Sequence, residues 1–191
     1  FCVPGESYLS VLEAIRESKN KFDLVVCRHE GGAAYMAEAY GRLTQMPGFC
    51  FVTRGPGACN ASIGVHTAYQ EGTPLILFVG QVPVKFLKKN AFQSIDTDKF
   101  FNSMAKYTET IKDPRNIRKI LEKAIYISTE GKPGPVVLGI PEDIQFAMVS
   151  DKISEVLENK TDKIKSKTFR AYIQELNHSK RPIIVLSGSK W

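Results

Sequence analysis

"VVCRHEGGAAYMAEAYGR", residues 25–42, is the stretch whose reading decides the fold. Val25 and Val26 close an apolar run of strand character, and Ala33, Ala34, Ala37 and Tyr40 then recur at helical spacing. The segment is a strand handing over to a helix. Glu30 falls in the first helical turn, beside His29 and two glycines. Two readings of its carboxylate stand side by side. It gains about 0.3–1 kcal/mol from the helix dipole, or it is held there to do chemistry. His29 reads as a structural hydrogen-bonder.

The same alternation continues outward. Strand-like apolar runs are predicted at 1–3, 24–27, 49–53, 75–80, 106–110 and 135–140. Between them, Tyr8, Val11, Leu12 and Ile15 share one helical face, and Ile117, Ile120, Leu121, Ala124 and Ile125 share another. Asp113-Pro114 is an N-cap followed by proline at the first helical position, and Gly131 with Pro133 ends that helix. Strands alternating with helices predict an α/β fold: a doubly wound, mainly parallel sheet with helices on both faces. From Phe146 to about Lys167 the chain turns polar and rich in Lys and Glu, which reads as a linker with a short helix over 151–158. A helix over 168–178 and a strand over 182–187 then open a second α/β unit.

Composition narrows the function classes. At 43% hydrophobic and 24% charged residues the chain has enough apolar material for a globular core. "LILFV" at 75–79 is far short of the roughly 18–20 residues that a membrane helix needs, so no membrane partner is expected. The net charge of +6 is concentrated in "KFLKK" (85–89) and in the polar linker, without interleaved aromatics, so a solvated surface is expected rather than nucleic acid. Cys2, Cys27, Cys50 and Cys59 fit neither zinc pairs nor a redox motif, and buried reduced thiols in a cytoplasmic protein are expected. The three histidines show no metal-ligand spacing. The chain opens on the apolar "FCV" and closes just after "PIIVL", which reads as a piece of a longer protein.

In an open parallel sheet, ligands bind beyond the carboxyl ends of the strands. "VPGES" follows the first predicted strand, "RHEGG" the second, "TRGPGACNA" the third and "GQVP" the fourth. In "TRGPGACNA" a Gly-Pro-Gly turn feeds a helix of small residues. Such a turn brings backbone close to a ligand and offers free N–H groups to an anion. Ala58, Ala61, Ser62 and Gly64 suit close helix packing equally well.

Taken together and in order, "VPGES", "RHEGGAAYMAEAYGR", "TRGPGACNA", "GTPLILFVGQVP", "AFQSID" and "GPVVLGIPEDI" resemble thiamine-diphosphate-dependent enzymes. The resemblance is to the pyrimidine-binding domain of the acetolactate synthase and pyruvate oxidase group, and runs from Phe1 to about Asp143. It implies a pyrimidine domain over 1–146, a linker over 147–167 and the start of a central domain over 168–191. It implies that Glu30 hydrogen-bonds a pyrimidine ring nitrogen of the cofactor, favouring an imino tautomer that takes the thiazolium proton. Pro4, Gly5, Gly55, Pro56, Gly57, Asn60 and Gln81 align with segments around the pyrimidine and the subunit interface. Phe92, Gln93 and Lys106 resemble residues that face the substrate cavity. The implied function is acetolactate-synthase-like decarboxylation and carboligation of a 2-oxo acid, pyruvate; the alternative is another lyase or decarboxylase of the family.

The resemblance also implies Mg²⁺ and diphosphate binding by a C-terminal domain with a "GDG…N" motif, which the 191 residues do not contain. Some members carry FAD, held largely by the central domain. The active unit is a homodimer or homotetramer, and the Ala-, Gly- and Ser-rich helices 31–46 and 57–71 are expected to present their outer faces to the partner. The chain departs from the family pattern at several places: "GES" for "GGS/GGA", "HEG" for "HEQ", "TRGPG" for "TSGPG", and Tyr107 where histidine usually follows the lysine. A nucleotide-binding module with "TRGPG" as phosphate cradle and a non-catalytic partner-binding domain are the readings outside the family.

Overall fold

A computed structural model describes residues 1–18, 21–149 and 166–185. Helix α1 (Leu9–Glu17) is followed by α2 (Glu30–Thr44), β1 (Gly48–Thr53), α3 (Arg54–Glu71) and β2 (Leu75–Gln81). Then come α4 (Thr97–Phe101), β3 (Tyr107–Thr110), α5 (Ile117–Thr129), β4 (Pro135–Pro141), α6 (Glu142–Gln145) and α7 (Ser166–His178). The strands form a parallel sheet in the order β1-β2-β4-β3, which confirms the α/β class.

The side-chain period of a strand builds the two faces. Leu75, Leu77 and Val79 of β2 face a cluster with Cys50, Val52, Val137 and the alanines of α2 and α3. Ile76 and Phe78 face the other way, into a cluster with Val136, Leu138, Ile120 and Ala124. Every residue of β2 and β4 is buried, so these central strands are apolar throughout. Fully burying a Val, Leu or Ile contributes about 1.5–3 kcal/mol, which is why these two strands anchor the domain.

Two predicted strands shrink. Residues 1–3 and 24–27 are joined to the sheet by single bridges only, Cys2 to Val26 and Cys2 to Phe51. The backbone does run alongside, with Cys27 N donating to Cys2 O and Phe51 N to Phe1 O. Among the described residues nothing covers the outer margin, where Val25 and Val26 are 40% and 60% exposed. At the other end α7 begins two residues before the predicted helix, residues 182–185 carry no strand, and the predicted helix over 151–158 lies outside the described residues.

Of the two readings of the small residues on α2 and α3, close packing is the one that holds. Ala33, Ala34, Ala37, Ala58, Ala61, Val65 and Ala68 all point inward and are fully buried. Gly64 faces Ala34 so closely that a Cβ on it would lie 2.6 Å from the Ala34 Cβ. Small residues therefore bring the two helices together and down onto the sheet; they do not form an outer face. Glu38 is buried too, accepting from Thr73 Oγ1 at 2.9 Å and pairing with Arg42 at 3.0 Å. What these helices expose is larger: Tyr35, Met36, Tyr40 and Leu43 on α2, Ile63 and Tyr69 on α3.

Candidate functional site

His29 sits in extended backbone before α2, and its Nδ1 accepts the N–H of Gly31 at 3.0 Å. It is the N-cap of the helix, which leaves Glu30 as the first helical residue with its carboxylate at the carboxyl end of the sheet. Asn60, on the second turn of α3, donates Nδ2 to Glu30 Oε2 at 2.9 Å. The other oxygen, Oε1, lies over Gly57: a Cβ there would stand 3.5 Å from Oε1 and 3.2 Å from Val52 Cβ. Among the described residues no hydrogen bond engages Oε1. Glu30 is thus aimed by one partner and left with one oxygen available beside a glycine.

The neighbouring loops close around this point. Gly55 N donates to Gln93 O at 2.7 Å, and a Cβ on Gly55 would meet that carbonyl at 2.9 Å. Gln81, at the end of β2, is fully buried, and its Nε2 donates to Ile95 O at 2.8 Å. Its Oε1 is buried with no partner among the described residues. Gly5 packs on Thr53, where a Cβ would come within 2.4 Å of the threonine Cβ. Pro4 and Pro56 lie in the same two loops, both exposed. Phe92 is 74% exposed beside Gln93, whose φ of +58° turns its carbonyl loop tightly.

Glu30, Gly5, Gly55, Gly57, Asn60, Gln81 and Gln93 are therefore brought to one end of the sheet. The anion-cradle reading of "TRGPG" loses its central donor, since the Gly55 N–H is spent on Gln93.

Lys106 is not brought to the others. It precedes β3 at the amino end of the strands, and its ammonium donates to the carbonyls of Ile127 and Glu130 at the carboxyl end of α5. A cation there satisfies orphan carbonyls and the helix dipole, which explains the lysine without a substrate. Burial pulls its pKa below the ordinary lysine value, with Glu130 acting in the opposite direction.

One group of residues at the carboxyl end carried no assignment. Arg54 has a φ of +43°, uncommon for a residue with a side chain. Its guanidinium meets Glu6 at 3.1 Å and Glu142 at 2.7 Å. Glu6 and Arg54 are legible in the sequence as departures from the family pattern; nothing local marks Glu142 as their partner.

The thiols are unpaired, and burial raises the pKa of Cys2 and pushes that of Cys50 up to about 12, which disfavours the thiolate at both. Cys59 is exposed and Cys27 half-buried, contrary to the expectation that the thiols are buried. No described helix is long and apolar enough to cross a membrane. Among the described residues no group of three or more His, Cys, Asp or Glu is placed to hold a metal.

A family model described as thiamine pyrophosphate enzyme, N-terminal TPP binding domain, matches residues 1–100. The mitochondrial acetolactate synthase of Schizosaccharomyces pombe is 33% identical over 197 residues, covering 96% of this chain and 29% of that protein. The acetolactate synthase large subunit of Lactococcus lactis is 32% identical over 192 residues, covering 98% of this chain and 33% of that one. The chain spans about a third of the length of these relatives. Among solved structures, benzoylformate decarboxylase from Polynucleobacter necessarius superposes with a TM-score of 0.83 at 20% identity, over 95% of this chain and 34% of that chain. That likeness concerns the fold.

Proposed function

The chain belongs to the thiamine pyrophosphate enzymes as their N-terminal TPP binding domain, and we propose that it activates thiamine diphosphate in an enzyme that decarboxylates and joins 2-oxo acids. The observation that carries this reading is the half-satisfied carboxylate of Glu30, fixed by Asn60 and open over Gly57. The residues present fit the cofactor's pyrimidine: a flat ring needs a slot, and a Cβ on Gly57 would narrow it against Oε1. Bound thiamine diphosphate supplies a carbon nucleophile once its thiazolium C–H is deprotonated. Glu30 would hold a proton at a pyrimidine ring nitrogen, its charge making that hydrogen bond stronger than one between neutral groups. Asn60 keeps the carboxylate from turning away. The buried Oε1 of Gln81 is a further acceptor at the same end of the sheet.

Pyruvate as donor and a second 2-oxo acid as acceptor are supported by the acetolactate synthases among the relatives. Phe92 and Gln93 are the substrate-side candidates of this reading; Lys106 is not retained. Mg²⁺ and the diphosphate fall to a C-terminal part such as the longer relatives have room for, and FAD to the central domain. A homodimer or homotetramer is part of the proposal, with the exposed Tyr35, Met36, Leu43 and Ile63 as the face for a second copy. The unpaired cysteines support a reducing compartment such as the cytoplasm.

In the full protein, Glu30→Gln should slow thiazolium proton exchange by about three orders of magnitude while leaving Tm unchanged. Quenched-flow exchange followed by proton NMR measures this, and exchange near the wild-type rate would refute the role. Formation of an aldehyde from pyruvate, with no acetolactate, would replace the synthase by a decarboxylase.

A further inference from the structure

Two of the places where this chain departs from its family's pattern, Glu6 and Arg54, lie 48 residues apart in sequence and touch in space. Arg54 Nη1 meets Glu6 Oε1 at 3.1 Å and Nη2 meets Glu142 Oε1 at 2.7 Å. The arginine side chain is only 13% exposed and Glu142 28%, whereas Glu6 is 65% exposed. The contact with Glu142 is thus the sheltered one. Each partner follows a different strand segment: Glu6 comes after residues 1–3, Arg54 after β1 and Glu142 after β4.

The surroundings leave Arg54 little freedom. Thr53, just before it, packs on Gly5 and shares a hydrogen bond with Ser7. Ser7 lies against Gly80, and its carbonyl accepts from Gln145 Nε2 at 2.7 Å. Arg54 itself takes a left-handed φ, and its Nε is buried without a partner among the described residues. A conformation that costs energy at the backbone and leaves a donor unpaired persists only where its surroundings impose it. Here the two carboxylates do so. The next residues are Gly55, whose N–H is fixed on Gln93, and Gly57, which frames Glu30.

We propose that Arg54 is a positioning residue: clamped by Glu6 and Glu142, it sets the Gly55–Gly57 turn and the start of α3, and through them the slot between Gly57, Asn60 and Glu30. The departures at Glu6 and Arg54 are then one change, made jointly at the strand ends. This rests on the cofactor reading above. A planar guanidinium engages two carboxylates from different loops at fixed angles, which a lysine ammonium does less well.

The test is thiamine diphosphate affinity of the full protein in the presence of Mg²⁺, titrated calorimetrically well below Tm. Arg54→Ala should weaken binding about tenfold and also lower kcat at saturating cofactor, because the loosened slot no longer aims Glu30. Arg54→Lys should recover part of the loss. Glu142→Gln should cost more than Glu6→Gln, in line with their exposure, and the Arg54→Ala and Glu142→Gln effects should be non-additive. If Arg54→Ala does not fold, the two glutamine variants carry the test, since each keeps the arginine. Unchanged affinity in the folded arginine variant, or in both glutamine variants, overturns the clamp while leaving the cofactor reading intact. A wild-type protein that binds no thiamine diphosphate overturns both.

Discussion

The two faces of the sheet are built on different principles. On the side of α2 and α3, alanines and glycines let backbones approach to contact, and the buried Glu38 has partners in Arg42 and Thr73. On the side of α1 and α5, large side chains meet loosely. A cavity of about 340 Å³ lies there between Val11, Ile15, Phe51, Phe78, Leu121 and Ile125. No residue of α1 is buried, although it carries a well-formed apolar stripe. Glu30 and Asn60 both stand on the close-packed side. A catalytic carboxylate must be held to within a fraction of an ångström, since about 1 Å of misplacement can cost about a hundredfold. Close packing by small residues leaves two helices few alternative registers, and the loose face has no such duty.

The comparison breaks most visibly at the helix crossing. Gly64→Val should destabilise the domain by about 3 kcal/mol, because a Cβ there meets Ala34 Cβ at 2.6 Å and its carbonyl carbon at 2.8 Å, so α2 and α3 must part. The intrinsic helix propensity of valine over glycine works in the other direction and is too small to compensate. Urea denaturation measures the loss. Thiamine diphosphate affinity should fall in the same variant, since Glu30 and Asn60 ride on the two helices. A variant as stable as the wild type would mean that the close face has slack.

On the opposite face the effect should be smaller. Ile15→Ala should cost about 1 kcal/mol, below the usual range for a buried isoleucine, because the side chain is half-buried and already borders a void. Its cofactor affinity should be that of the wild type. A loss of about 3 kcal/mol or more would show that the loose face is packed as firmly as the other.

The same contrast explains what the sequence made legible. Continuous apolar runs bounded by turns specified β1, β2 and β4, and Asp113-Pro114 marked the start of the turn into α5, where Asp113 accepts from the Arg115 N–H. The carboxyl-end loops could be placed together because a parallel sheet puts every such loop on one side. The inner face of α2 and α3 is ambiguous in the sequence for a physical reason: alanine is compatible with core and surface, and the larger Tyr35, Met36 and Leu43 look more like core than they are. Residues 24–27 have the composition of a strand, yet pairing needs a partner of matching length and a cover, and composition specifies neither. Lys106 was assigned by resemblance alone, and its position at the amino end of β3 depends on where the run of residues before β3 begins to pair. Arg54 and Glu142 are 88 residues apart, so their contact is a product of strand order.

The smallest effect tests how far the close-packed side keeps its polar groups satisfied. Near the sheet margin, α4 contributes Phe101 to the same core as α2 and α3, but its Asp98 has no counterpart to the partners of Glu38. Asp98 Oδ1 is buried without a hydrogen-bond partner among the described residues. Burial raises its pKa, the neighbouring Asp96 raises it further, and Lys112 and Lys88 oppose the change. The folded state therefore holds this proton more tightly than the unfolded chain does. With the folded pKa above the unfolded one, the folded protein binds more protons within that window, and stability falls as pH rises through it. The window opens at about pH 4, the ordinary value for aspartate, and closes at the raised one. Below it the carboxyl is neutral in both states and carries no penalty; above it the penalty is complete. Asp98→Asn, which keeps the shape and removes the charge, should thus raise Tm by a few degrees or less at pH 7 and leave it unchanged near pH 3. Thermal unfolding of both proteins at the two pH values decides the matter. A lower Tm at pH 7 would mean that Lys88 and Lys112 already outweigh burial, and that this margin is as well compensated as the pairing around Glu38.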